Sequence, residues 1–108
     1  SLVVGPDENL YVASQLSDEV LRYDSQTGQL IDAFITAGSG GLSGPSGIAF
    51  GPDGRLYVSG RYGGNVIAYD GTTGAFDEVI ADAGDGLSTG TTFGLAFGEN
   101  GDLYFASN

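Results

Sequence analysis

One eight-residue phrase recurs three times in this sequence, and it restricts the fold more than any other property. Gly5-Pro6-Asp7-Glu8-Asn9-Leu10-Tyr11-Val12 returns as Gly51-Pro52-Asp53-Gly54-Arg55-Leu56-Tyr57-Val58. It returns again, more loosely, as Gly98-Glu99-Asn100-Gly101-Asp102-Leu103-Tyr104-Phe105. Tyr11, Tyr57 and Tyr104 are spaced 46 and 47 residues apart. A chain with such a period cannot be an ordinary single sheet or bundle; each period must form one structural unit that stacks on the next.

The content of one period identifies the unit. In the second period, Gly47–Gly51 reads as a short strand and Pro52-Asp53-Gly54 as a tight turn, with proline presetting φ and glycine taking the left-handed position. Leu56–Ser59, Asn65–Asp70 and Phe76–Ala81 follow as strands, separated by Tyr62-Gly63-Gly64 and Gly71-Thr72-Thr73-Gly74. No stretch carries helical apolar spacing over three turns. Leu2–Val4, Leu10–Ala13, Val20–Asp24 and Leu30–Ile35 fill the same slots in the first period, and Phe93–Phe97 with Leu103–Ala106 fill two slots of a third. The predicted fold is all-β: two four-stranded antiparallel β-propeller blades plus half of a third, an incomplete ring. Blade 1 spans 1–36, blade 2 spans 47–82 and the half blade 93–108. Segments 37–46 and 83–92 are ordered crossings, because they recur at the same phase of the repeat. Several strands are apolar on successive residues, as expected where both sheet faces are covered.

Composition removes whole function classes. Fourteen acidic residues face three arginines (Arg22, Arg55, Arg61), giving a net charge of −11 with no lysine. Phosphate recognition needs clustered Lys and Arg, so nucleic acid and anionic membrane are not expected partners. Cysteine, histidine, methionine and tryptophan are absent. Disulfides and the Ser-His-Asp and Cys-His nucleophile systems are therefore excluded from these residues. No apolar run reaches the length of a membrane span, and no signal-peptide pattern is visible, so no membrane insertion is expected. Ser1-Leu2-Val3-Val4 reads as the middle of a strand, which gives the start of the sequence a processed or truncated look. The acidity suits an extracellular or cell-surface setting or cation binding.

Gly51–Ser59, preceded by Pro45-Ser46-Gly47-Ile48-Ala49-Phe50, resembles the NHL-repeat propellers and the wider set with the gluconolactonase/regucalcin-like enzymes and the streptogramin lyases. The Val20–Asp24 and Thr27-Gly28 element, with its echo at 66–70 and 73–74, is similar to the third strand and hairpin of secreted bacterial members. The resemblance implies a propeller fold and, in gluconolactonase-like members, a divalent metal above the central channel. Its ligands there include an Asn just before the Gly-Ile/Leu-Ala strand and an Asp shortly after the Leu-Tyr-Val strand. Here the first slot holds Ser46 or Thr92-Phe93, and the second Ser14, Gly60 or Asn108, so the pair is missing. The lyases of this fold rely on histidine, which is absent. The superfold hosts many functions, so the likeness specifies architecture.

The remaining candidates have bland structural readings beside their chemical ones. The acidic turns Asp7-Glu8-Asn9, Asp53-Gly54 and Glu99-Asn100-Gly101-Asp102 are the candidates for Ca²⁺, with Asp53, Glu99 and Asp102 as the candidate ligands; Ca²⁺ takes six to eight oxygens, and none of the turns matches a twelve-residue calcium loop. Asp at a turn ordinarily bonds its own backbone. The Asp-x-x-Thr-Gly loops at Asp24 and Asp70 read as capped hairpins. Asp82 and Asp85, or Asp18 with Glu19, would need a deep cleft to act as a glycosidase pair. Gly38-Ser39-Gly40-Gly41 has no lysine behind it and opens no helix, so it reads as a loop rather than a phosphate cradle. The repeated tyrosines read as inter-blade packing, with a binding platform as the alternative. Arg22 has Ala68 as its counterpart, so the repeat does not require it; it either pairs a carboxylate at a blade surface or is solvated.

The expected function is a non-enzymatic scaffold or binding module, completed by a protein partner: another chain, a copy of itself, or the rest of a longer protein. Leu2, Val4, Leu95, Phe97 and Tyr104 are the expected interface residues. No catalytic or cofactor-binding residue is assigned. The alternatives are a metal-dependent lactonase or lyase, with an Asn such as Asn65 among the ligands, and a calcium-dependent glycan binder.

Overall fold

A computed structural model describes residues 1–82 and 93–107. Among them, ten strands form three antiparallel sheets. Blade 1 is β1 (Leu2–Val4), β2 (Leu10–Ser14), β3 (Glu19–Tyr23) and β4 (Leu30–Ile35) in meander order. Blade 2 repeats it with β5 (Pro45–Phe50), β6 (Leu56–Gly60), β7 (Asn65–Tyr69) and β8 (Phe76–Ala81). A two-stranded sheet of β9 (Phe93–Phe97) and β10 (Leu103–Ser107) forms blade 3. The expected strands are present with ends shifted by a residue or two. Expectations on residues 83–92, including Asp85 and Thr92, and on Asn108 lie outside the described residues.

The periodic phrase has a packing cause. A side chain at Gly5, Gly51 or Gly98 would run into the ring of Tyr11, Tyr57 or Tyr104. Each tyrosine therefore lies across the turn that precedes its strand, and only glycine leaves room. The turn backbone repeats as well: the Gly5, Gly51 and Gly98 amides donate to the carbonyls of Asn9, Arg55 and Asp102 at 2.9 Å in all three blades. Irregularities repeat too. The β3–β4 register breaks at Val20/Leu21 and Arg22/Tyr23, and β7–β8 breaks at Val66/Ile67 and Ala68/Tyr69.

The core lies between sheets. Tyr11, Val20 and Phe34 of blade 1 meet Ile48, Leu56, Val58, Ile67 and Tyr69 of blade 2, with Leu42 from the intervening crossing. A second cluster joins Tyr57, Val66 and Ala68 to Leu95, Phe97 and Leu103 of blade 3. The crossing 37–44 is pinned along its length. It contains a 3-10 turn at Ser39–Gly41, the Tyr69 hydroxyl donates to the Ser39 carbonyl at 2.7 Å, and the Gly44 amide donates to Asp18 Oδ1 at 2.8 Å. The inner strands of blade 2 are thus covered on both faces, and every residue of β6 is buried, whereas the outer strand β8 is largely exposed. In β2, Tyr11 is buried while the other four residues are half-buried.

Candidate functional site

The repeat register shows which surface of blade 1 is unfinished. Shifting Ile48, Phe50, Leu56, Val58, Ile67 and Tyr69 back by 46 residues gives Leu2, Val4, Leu10, Val12, Leu21 and Tyr23. The first set packs against blade 1, with Leu56, Val58, Ile67 and Tyr69 fully excluded from solvent. The second set lies on the opposite face of blade 1, where Leu2 is 58% and Val4 64% exposed and the other four are half-buried. Side chains suited to a neighbouring sheet therefore stand uncovered. At the other end, Tyr104 is 56% exposed, whereas Tyr11 and Tyr57 in the same slot are 1% and 6% exposed. The five expected interface residues divide accordingly. Leu2, Val4 and Tyr104 face outward, while Leu95 and Phe97 pack on the chain's own blade 2.

The closed interfaces show how the tyrosine slot works. Tyr11 meets Phe34 and Phe50 edge-on, each at 5.0 Å between ring centroids, and Tyr57 meets Phe97 at 4.9 Å. Its hydroxyl is satisfied by a carboxylate in the preceding turn: Tyr11 donates to Asp7 and Tyr57 to Asp53, both at 2.7 Å. Partial burial works against charge on Asp7, but the bonds from Tyr11 and Asn9 and the Arg22 guanidinium outweigh it and hold the carboxyl below its ordinary range. For Asp53 the opposing burial is outweighed by bonds from Arg55 and Tyr57. Burial, with the adjacent carboxylate, pushes both tyrosine hydroxyls up. The rings are packing elements with satisfied hydroxyls.

Each cluster holds one arginine. Arg22 forms a forked pair with Asp32 (3.1 and 2.7 Å), reaches Asp7 at 3.4 Å and lies 5.0 Å over the Phe34 ring. Of the two readings of Arg22, the paired one holds. Arg55 contacts Asp53, Asp77 and Glu78 at 2.7–2.9 Å and bonds the Tyr57 hydroxyl. Sequence reasoning missed Arg55, Asp32, Asp77 and Glu78. The repeat alignment offered one signal, since Asn9, Arg55 and Asp102 share a slot and differ in charge.

The candidate calcium ligands sit in the same turns. Asp53 spends both oxygens on Arg55 and Tyr57. Asp102 accepts from Asn100 Nδ2 at 2.9 Å, and Glu99 is exposed beside it. Among the described residues no three His, Cys, Asp or Glu side chains gather as a metal-binding group. Asn65 Oδ1 is buried without a hydrogen-bond partner among the described residues, and it lies against Gly60 and Gly63. Asp24 and Asp70 cap their hairpins, with backbone bonds from residues 26–27 and 72–73 lowering both carboxyls. Clefts of about 450 and 370 Å³ flank the Gly71-Thr72 hairpin; the larger is lined by Asp53, Arg55, Asp70 and Asp77, the smaller by Asp7, Tyr11 and Arg22. Among the described residues no helix is long and apolar enough to cross a membrane.

No family model and no curated protein sequence matches the chain. Solved structures do. Virginiamycin B lyase from Staphylococcus aureus aligns with a TM-score of 0.71 at 16% identity, over 99% of this chain and 33% of the lyase. The extracellular domain of a hybrid two-component system from B. thetaiotaomicron aligns with a TM-score of 0.72 at 16% identity, over 98% of this chain and 14% of that one. A streptogramin B lyase aligns with a TM-score of 0.68 at 20% identity, over 97% of this chain and 32% of the enzyme. These neighbours are β-propellers, and the chain spans about one third of the lyases' length. The fold is an incomplete β-propeller.

Proposed function

We propose that the chain is a non-enzymatic propeller scaffold or binding module whose open lateral faces are completed by further blades, from another chain or from the rest of a longer protein. One observation carries this reading: the exposed Leu2 and Val4 face is the 46-residue image of a blade 2 surface whose Leu56, Val58, Ile67 and Tyr69 are fully excluded from solvent. The Gly-Pro-Asp-Gly-Arg-Leu-Tyr-Val phrase supports a place among the NHL-repeat and gluconolactonase-like propellers. The extracellular neighbour supports an exported or cell-surface location. Lyase activity has less support. A histidine-to-alanine variant of virginiamycin B lyase is catalytically inactive, and these 108 residues contain no histidine.

Sedimentation of the pure chain tests the reading. Covering the exposed halves of Leu2 and Val4 is worth about 1 kcal/mol each. The expected result is association beyond an 11.0 kDa particle, weakened by Leu2→Asp with Val4→Asp. A compact monomer at all concentrations, unaffected by the two substitutions, would refute it.

The polar cleft beside Gly71-Thr72 favours one second reading, a glycan ligand with or without Ca²⁺. A glycan array run with calcium and with chelator tests that, and blank arrays in both conditions dismiss it.

A further inference from the structure

We infer that the strand pairing with the open edge of β10 carries an arginine opposite Tyr104. This rests on the reading that further propeller elements complete the chain's open surfaces.

The two four-stranded blades supply the rule. In each, the tyrosine–carboxylate pair is covered by one guanidinium, which comes from one of two slots. In blade 1 it is the third-strand residue opposite the tyrosine, since Tyr11 faces Arg22 across the ladder. The turn slot two residues before that tyrosine is uncharged Asn9. In blade 2 the turn slot supplies Arg55, and the residue opposite Tyr57 is Ala68. Each blade fills one slot with a cation and leaves the other neutral. Without that cation, Asp7 would face Asp32, and Asp53 would face Asp77 and Glu78, with no compensating charge.

Blade 3 keeps the tyrosine and an acidic turn, with Asn100 in the place of Asp7 and Asp53. Tyr104 occupies the tyrosine slot, but its turn slot is Asp102, an acid. Asn100 and Asp102 form the bond that Asp7 and Asn9 form in blade 1 with the two residue types exchanged, at 2.9 and 3.0 Å. This turn presents a carboxylate and supplies no cation, which leaves the third-strand slot opposite Tyr104. Among the described residues β10 is paired only by β9, so that slot lies on an open edge. An open edge offers its backbone donors and acceptors to an incoming strand. The antiparallel register shared by β2–β3 and β6–β7 fixes which residue of that strand meets Tyr104. The occupant is a propeller third strand of the β3 type, Val-Leu-Arg-Tyr, whose arginine complements the acidic turn of Glu99 and Asp102.

The test titrates the 108-residue chain with a labelled synthetic hairpin of the sequence of residues 18–36, and with the same hairpin carrying Arg22→Ala, by fluorescence anisotropy. The arginine hairpin is expected to bind about three- to tenfold tighter, as a partly exposed charge-assisted contact allows. In the Asp102→Arg chain, which imitates blade 2, the preference is expected to vanish or reverse. Asp102→Asn should shrink it with an unchanged circular dichroism spectrum. Equal binding of both hairpins would overturn the arginine inference and leave the open-surface reading intact. Binding of neither would overturn the inference, and if the chain also sediments as a compact monomer the reading falls with it.

Discussion

Among the described residues two non-glycine residues hold left-handed backbone, and their responses to glycine should have opposite signs. Glu8 has φ 69° and Asp18 has φ 57°. The slot of Glu8 is Gly54 in blade 2 and Gly101 in blade 3, at φ 83° and 84°. Glu8 is exposed, and among the described residues its side chain makes no hydrogen bond or ion pair. Left-handed backbone costs a side-chain-bearing residue about 1–2 kcal/mol, and glycine returns about 0.4–1 kcal/mol through the freer unfolded chain. Glu8→Gly should therefore stabilise by about 0.5–1 kcal/mol. Asp18 corresponds to Gly64, also left-handed. Its carboxylate, however, accepts the Gly44 amide at 2.8 Å and anchors the crossing between blades. Losing a charged acceptor from a part-buried amide costs about 1.5–3 kcal/mol, more than the strain relieved. Asp18→Gly should destabilise by about 1 kcal/mol or more. Calorimetry at one fixed protein concentration reads both, with about 4–8 °C of Tm per kcal/mol for a chain of this size. Destabilisation by Glu8→Gly, or shifts of the same sign in both variants, would refute the reasoning.

The interchangeable guanidinium slots can be tested within blade 1. Arg22→Ala should cost about 1 kcal/mol, discounted for partial exposure, and adding Asn9→Arg should recover at least half by importing the blade 2 arrangement; chemical denaturation of the three proteins decides, and no recovery counts against equivalence of the slots. The hairpin caps give a pH signature. Asp24 and Asp70 have lowered carboxyls, so their contribution is present above the ordinary carboxylate pKa and is lost as pH falls through the lowered folded value. Asp24→Asn with Asp70→Asn should lower Tm at pH 7 and converge with the parent as pH falls below the ordinary carboxylate range and the parent's caps are protonated; a constant gap across pH would show that charge is not what these caps contribute.

The all-β architecture and strand order were legible because they depend on local signals: turn glycines, β-branched and aromatic runs, and a fixed period. The tyrosine slot was legible for the same reason, since three copies of one residue at one phase require a shared environment. The ion-pair clusters were not. Arg22 finds Asp32 across a β3–β4 ladder broken by bulges, and Arg55 reaches over the Tyr57 ring to Asp77 and Glu78 on β8. Neither pairing has a fixed spacing, and the two blades supply the guanidinium from different places, β3 in blade 1 and the turn before β6 in blade 2. Asp18 escaped for another reason. Its bond to Gly44 spans a crossing that has no counterpart in a single blade, and beside Glu19 it reads as surface charge. The split among the expected interface residues follows from stacking order. Leu95 and Leu2 occupy equivalent slots, and among the described residues only Leu95 packs against a preceding blade.

The slots of Phe50, Phe97 and Val4 show where the repeat stops being a repeat. Phe50 and Phe97 each receive a tyrosine edge-on from the neighbouring blade. Val4 holds the same place on the open face of blade 1 and has no ring to offer. An edge-on aromatic pair adds about 0.5–1.5 kcal/mol beyond the area it buries, and a ring replaced by an isopropyl group leaves space that a tyrosine does not fill. A blade whose contact residue is a tyrosine, as in all three blades here, would dock on this face with a gap at its centre. A blade carrying a bulkier side chain in that slot would fill the gap. The open face therefore suits stacking by its apolar pattern, and Val4 makes a copy of the chain's own blades pack there less tightly than blade 2 packs on blade 1.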